Sequence, residues 1–159
     1  MTAMNTGTVA RIDDDPHGNS MPDDPLNLLI IEDEALVAML VEDALTLHGH
    51  HVIGIADTVA SAMALAEQDR PDLALCDVKL ADGDSGLTAA QLLADRGIPC
   101  VFLSGNCPDR GGHPLVIGCI AKPFRPGSLG LAVRAAYRVA TGQPVDHAPP
   151  ALKFYGEPR

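Results

Sequence analysis

Between Leu28 and Ala140 the chain alternates short unbroken apolar runs with stretches of helical period, and few folds accommodate that alternation. Leu28-Leu29-Ile30-Ile31 is a run of the first kind, expected of a strand covered on both faces. From Ala35 to about His48 apolar residues recur at 36, 37, 40, 41, 44 and 45, which predicts a helix ended by Gly49. His51 to Ala56 predicts a second strand, and Thr58 caps a second helix that runs through Gln68 and stops at Arg70-Pro71. Leu73 to Cys76 reads as the third strand, Leu87 to Asp95 as the third helix and Pro99 to Leu103 as the fourth strand. Residues 105 to 115 hold three Gly and two Pro, so a helix there is short or missing. Val116 to Ala121 predicts the fifth strand and Pro126 to Ala140 a last helix with Pro in its first turn.

Five strands alternating with helices imply an α/β fold: an open, doubly wound, five-stranded parallel sheet, flavodoxin-like, in the order 2-1-3-4-5, with a short or disordered fourth helix. The 159 residues suffice for one such domain, placed at 26–140. Residues 1–25, with Asp13-Asp14-Asp15-Pro16 and Pro22-Asp23-Asp24-Pro25, read as a flexible acidic tail. Residues 141–159 form a Pro-rich C-terminal tail, read as disordered, although Leu152, Phe154 and Tyr155 make an apolar cluster able to dock. A net charge of −10 without a Lys/Arg cluster argues against a nucleic-acid partner. No apolar run approaches the ~20 residues of a membrane span and the N-terminus lacks a signal-peptide pattern, so no membrane partner and a cytoplasmic protein are expected. Cys76, Cys100, Cys107 and Cys119 show no metal-knuckle spacing; they are expected to be thiols, with a disulfide or redox switch as the alternative.

Right-handed crossovers bring the carboxyl ends of the strands to one edge, and the chemistry collects there. Glu32 and Asp33 follow the first strand, Asp77 the third, Ser104 the fourth and Lys122 the fifth. Crowded carboxylates repel, and a hard divalent cation with oxygen ligands is the economical compensation, Mg²⁺ first among candidates. Lys122 and Ser104 add a fixed positive charge and a hydroxyl, a seat for a phosphoryl group, with Asp77 as the nucleophile that becomes an acyl phosphate. The His48, His50, His51 cluster reads as a helix end and strand start rather than a metal site. Leu36, Val37, Leu40, Val41 and Ala44 read mostly as core, with an edge that could dock a partner helix.

In Ile31-Glu32-Asp33-Glu34, Leu75-Cys76-Asp77-Val78, Phe102-Leu103-Ser104-Gly105 and Ala121-Lys122-Pro123-Phe124 the chain resembles a response-regulator receiver domain. That resemblance implies Asp77 as phosphoacceptor and Mg²⁺ bound by Asp33, Asp77 and the backbone carbonyl of Lys79, with Glu32 acting from behind them. It implies Ser104 and Lys122 as the groups that close on the phosphoryl oxygens, and a cis peptide before Pro123. Lys79, Gly105 and Asn106 border the phosphoryl position and should tune its lifetime. Cys119 stands where the family carries its switch aromatic. The Phe102-to-Gly105 motif and the Gly/Pro-rich stretch after it are similar to the FATGUY subgroup of single-domain receivers, with Leu103 and Ser104 departing from its Ala-Thr.

The function expected is a single-domain response regulator of a two-component phosphorelay. It would be loaded by a histidine kinase or phosphotransfer protein and would signal by protein contact or as a phosphate sink. It is expected to be a switch rather than an enzyme, because the residues after the last helix are too few for an output module. An aspartyl-phosphate phosphatase would want an acid two residues past Asp77, where Lys79 stands. A pseudo-receiver that binds a partner without phosphorylation remains the other alternative.

Overall fold

The computed structural model describes residues 24–156. The expected N-terminal tail lies outside them except for Asp24 and Pro25. The element order is β1 (Asn27–Ile31), α1 (Ala35–Leu47), β2 (His51–Ala56), α2 (Val59–Gln68), β3 (Leu73–Cys76), α3 (Gly86–Asp95), β4 (Cys100–Ser104), β5 (Val116–Ala121), α4 (Pro126–Ala140) and β6 (Leu152–Phe154). Each predicted strand and helix is present within a residue or two.

Local chemistry accounts for the boundaries. Thr58 accepts from the Ser61 N–H while the Ser61 hydroxyl accepts from the Thr58 N–H, a reciprocal cap that starts α2. Ser85 caps α3 through the Leu87 N–H. Gly49 and Gly97 take φ of 84° and 83° just past α1 and α3, a left-handed step that ends both helices at little steric cost.

The sheet corrects the strand count: it has six strands in the order β2-β1-β3-β4-β5-β6, not five, with β1 to β5 parallel and β6 antiparallel to β5. The extra strand comes from the Pro-rich C-terminal segment, so part of that segment docks instead of being disordered. β5 is the outermost of the parallel strands, so its outer edge would stay bare, and residues 152–154 pair with it. Gly118 makes the approach possible, since a Cβ there would overlap the Lys153 carbonyl oxygen. A three-residue strand next to Pro149 and Pro150 is too short to show a period, which hid it from sequence reasoning.

Alternation in the strands sends Leu28, Ile30, Leu73, Leu75, Val101 and Leu103 to a core shared with α1 and α4. Leu29, Ile31, Ala74, Cys76, Cys100 and Phe102 face a second core shared with α2 and α3. Sequence reasoning read the stripe that holds Leu36 and Leu40 as mostly core with an edge able to dock a partner helix; these two are 76% and 57% exposed and so are not core. Ala38, Val41, Ala44 and Leu45 form the buried stripe of α1, and the outer face is left apolar. No helix among the described residues is long and apolar enough to cross a membrane.

His50 is buried, and its Nδ1 accepts from the Leu26 N–H at 3.1 Å, while His51 is exposed. Burial, with the nearby Arg134 and His48, lowers the His50 pKa from its ordinary 6.5. Below 6.5 the unfolded chain binds a proton that the native state refuses. Stability therefore falls as pH drops through 6.5, by up to about 1.4 kcal/mol per pH unit until His50 itself titrates. His50→Asn, whose side-chain oxygen can accept from Leu26, is expected to flatten that slope. Urea midpoints measured above and below 6.5 check this, and an unchanged slope in the variant would assign the acid loss to other groups.

Candidate functional site

Backbone hydrogen bonds continue past the ends of the strands and set the first site residues in place. The Glu32 N–H donates to Ala56, the Asp77 N–H to Ile31 and the Lys122 N–H to Ser104, at 2.8, 2.8 and 2.9 Å. The residues just past β1, β3 and β5 therefore keep the register of the sheet, and their side chains meet above its carboxyl edge. Carboxylate oxygens of Glu32, Asp33 and Asp77 lie within 4.8 Å of one another. Lys122 Nζ donates to Glu32 Oε1 at 3.1 Å and to Asp77 Oδ2 at 3.3 Å. The Lys122–Pro123 peptide is cis.

The three acids differ in surroundings. Glu32 is buried, and its other carboxylate oxygen accepts from the Glu34 N–H at 3.2 Å. Burial pushes its carboxyl up to about 7, against the downward pull of the Glu34 N–H and the Lys122 ammonium. Burial works to lower Lys122, and the Glu32 and Asp77 carboxylates together hold it above its usual value. Asp33 is exposed and Asp77 half-buried, so both face the open side while Glu32 braces Lys122 from within.

A cleft of about 520 Å³ opens there, lined by Asp33, Glu34, Asp77, Val78, Lys79, Ser104, Gly105 and Asn106. Of the site residues expected from sequence, Asp33, Asp77, Lys79, Ser104, Gly105 and Asn106 line the cleft, Lys122 pairs with Asp77, and Glu32 pairs with Lys122 behind them. The Ser104 hydroxyl is occupied locally: it accepts from the Asn106 N–H at 3.1 Å and donates to the Asn106 carbonyl at 3.2 Å. A Cβ on Gly105 would meet nothing within 4 Å, which leaves an open approach over Asp77. Around residue 79 an antiparallel bridge to Ser85 is made by the Gly86 N–H to Val78 and the Leu80 N–H to Asp84. No hydrogen bond among the described residues ends on the carbonyl of Lys79, a residue of the cleft wall.

Three supports escaped sequence reasoning. Asp84 Oδ2 accepts from the Val59 N–H at 2.8 Å and ties the loop after Asp77 to the start of α2. Gly86 begins α3 directly against the Asp77 backbone. Cys107 and Cys119, expected to be thiols, are joined as a disulfide. Their separation in sequence says nothing of proximity, but folding brings the loop after β4 back across β5. The same loop is held a second time, by the Tyr155 hydroxyl donating to the Pro108 carbonyl at 2.8 Å.

Residues 28–134 match the family model described as the response regulator receiver domain. The chain is 42% identical over 114 residues to the phyllosphere-induced regulator PhyR of Methylorubrum extorquens, covering 69% of this chain and 42% of that protein. It is 31% identical over 116 residues to the transcriptional regulatory protein PdtaR of Mycobacterium tuberculosis, covering 70% of this chain and 57% of the relative. It thus spans about half the length of these curated relatives. Among solved structures it is similar to the response regulator PhyR from Brucella abortus, with TM-score 0.59 and 33% identity over 72% of this chain and 48% of that one. SdrG from Sphingomonas melonis Fr1 is similar over 98% of its own length and 72% of this chain, with TM-score 0.57 and 35% identity.

Proposed function

This chain belongs to the response-regulator receiver family, and from that premise we propose that it accepts a phosphoryl group on Asp77 and signals by contact with another protein. One observation carries the reading: three acids converge within 4.8 Å and one lysine reaches both Asp77 and Glu32. That arrangement leaves an excess of negative charge, an Asp77 carboxylate at the cleft wall and an unused carbonyl on Lys79. Asp33, Asp77 and the Lys79 carbonyl fit a divalent ion by their chemistry, all being hard oxygen donors; Mg²⁺ held there would supply charge neutralisation for the transferring oxygens.

The chain's own groups have separable parts. The carboxylate of Asp77 is the nucleophile on phosphorus, and Lys122, already hydrogen-bonded to it, stabilises the anionic oxygens of the product. Glu32 orients Lys122. Ser104 turns from Asn106 to the phosphoryl oxygen, and this exchange of partners moves the segment that follows it. Lys79, Gly105 and Asn106 stand beside the acyl phosphate and govern how water reaches it.

The donor is a phosphohistidine on a kinase or phosphotransfer protein, which must bring its ring over Gly105. The exposed apolar outer face of α1, with Leu36 and Leu40, offers a helix of such a partner a seat near the cleft. The relatives named PhyR include an anti-anti-sigma factor from Bartonella quintana, 33% identical over 74% of this chain with TM-score 0.57. That precedent supports partner binding as the output in preference to a sink for phosphate.

Incubation with Mg²⁺ and a small phosphodonor such as acetyl phosphate is expected to add one phosphoryl group to the intact mass, and chelation of the metal to prevent it. A beryllofluoride complex that leaves the amide spectrum unchanged, together with no mass adduct, would refute the acceptor role and favour a pseudo-receiver.

A further inference from the structure

The four cysteines fall into two pairs of opposite character. Cys76 and Cys100 are fully buried in the sheet, and burial pushes both thiols up, Cys100 to about 12. They are inert toward oxidants at neutral pH because almost no thiolate is present. Cys107 is half-exposed in the loop 105–115, while Cys119 is fully buried in β5, and the two are bonded with Cα atoms 6.0 Å apart. That separation lies well within the span of a disulfide.

Placement gives the pair its meaning. Cys107 comes three residues after Ser104 and directly before Pro108, whose carbonyl holds the Tyr155 hydroxyl. Cys119 lies in the middle of a strand paired on both sides, in register with Phe102 of β4 and Lys153 of β6. A bond between them fastens the segment that follows Ser104 to an immobile strand. We propose that Cys107 and Cys119 form a reversible redox modification site whose bond state controls whether the Ser104 loop can close over Asp77.

The chemistry balances with a peroxide as oxidant. The accessible Cys107 thiolate attacks the O–O bond, takes a hydroxyl group to become a sulfenic acid, and the departing hydroxide is protonated to water. The Cys119 sulfur then attacks Cys107, expelling a second water, so two thiols and one peroxide yield one disulfide and two waters. A dithiol reductant returns two electrons and two protons by exchange through the sulfur of the half-exposed Cys107. In the bonded state the Ser104 hydroxyl stays with Asn106. In the dithiol state the loop keeps the Tyr155 tie at Pro108 and the His113–Asp95 contact near its far end, and the part that follows Ser104 can move with it toward the cleft. The control of closure rests on the phosphoacceptor reading, whereas the disulfide chemistry does not.

The test uses the full chain, reduced by dithiothreitol or treated with stoichiometric hydrogen peroxide, then denatured and alkylated. Of the four cysteines, all four should be alkylated after reduction and only Cys76 and Cys100 after oxidation, with a peptide linking Cys107 to Cys119. Four alkylated thiols after peroxide, or a linkage through Cys76 or Cys100, overturns the site. Beryllofluoride and Mg²⁺ titrated against both forms should bind the reduced protein on the order of fivefold or more tightly. Cys107→Ser and, separately, Cys119→Ala should each abolish the peroxide effect. Equal affinity in the two wild-type forms overturns the control of closure. Binding to neither form overturns the phosphoacceptor reading and the closure together, while the thiol count still decides the disulfide chemistry.

Discussion

Asp77→Asn is expected to abolish phosphoryl uptake while leaving the fold standing. Asparagine has nearly the shape of aspartate, and the side chain is only 14% exposed, so a change of volume would be felt where a change of charge need not be. Its amide oxygen can still accept from Lys122 Nζ, and Lys122 keeps its 3.1 Å bond to Glu32, so no buried cation is stranded. The substitution also removes one of three carboxylates held within 4.8 Å and relieves their repulsion. Asp77 is one of the influences that raise Glu32, so the Glu32 carboxyl should ionise more readily in the variant. Stability should therefore stay within about 1 kcal/mol of wild type or rise. An amide oxygen is too weak a nucleophile for phosphorus, and the mass adduct formed with acetyl phosphate and Mg²⁺ should disappear altogether. Urea midpoints and intact mass read the two effects separately. A stable variant that still takes up one phosphoryl group would move the acceptor to another residue.

The parts of this molecule that sequence reasoning reached are those where a residue's neighbours in the chain decide its fate. Leu28 to Ile31 has to be a covered strand, Thr58 starts α2 by capping it, and the acids and lysine that follow successive strands must meet because parallel strands with right-handed crossovers share one edge. What it missed depends on segments distant in sequence. Cys107 and Cys119 pair only because β5 lies beside β4, and β6 exists only because β5 would otherwise keep an open edge. Leu36 and Leu40 fit a helical apolar stripe as well as Val41 does, and only the packing of α1 against β1 and α4 selects which of them is covered. Gly86 carries no chemical group to draw notice, and its importance is a matter of the space beside it.

That space makes Gly86→Ala the substitution with the largest structural effect expected outside the acids. A Cβ at residue 86 would overlap the Asp77 carbonyl oxygen and stand 2.9 Å from Val78 Cα, both main-chain atoms that cannot rotate away. The Gly86 N–H also donates to the Val78 carbonyl at 2.7 Å, so α3 cannot retreat without breaking that bond. Either α3 lifts off the sheet or the strand end carrying Asp77 is displaced. The first outcome opens the core around Ala89, Ala90 and Leu93, and the second misaligns the nucleophile with Lys122. A loss of about 3 kcal/mol in stability is expected, with phosphoryl uptake slowed about a hundredfold if the site shifts by an ångström. Gly127→Ala serves as the comparison: it lies in the first turn of α4, has nothing within 4 Å of the added carbon, and should leave stability equal or raised by up to about 1 kcal/mol. If the two alanine variants shared a urea midpoint, close packing of α3 on the Asp77 backbone would not be what holds the nucleophile in place.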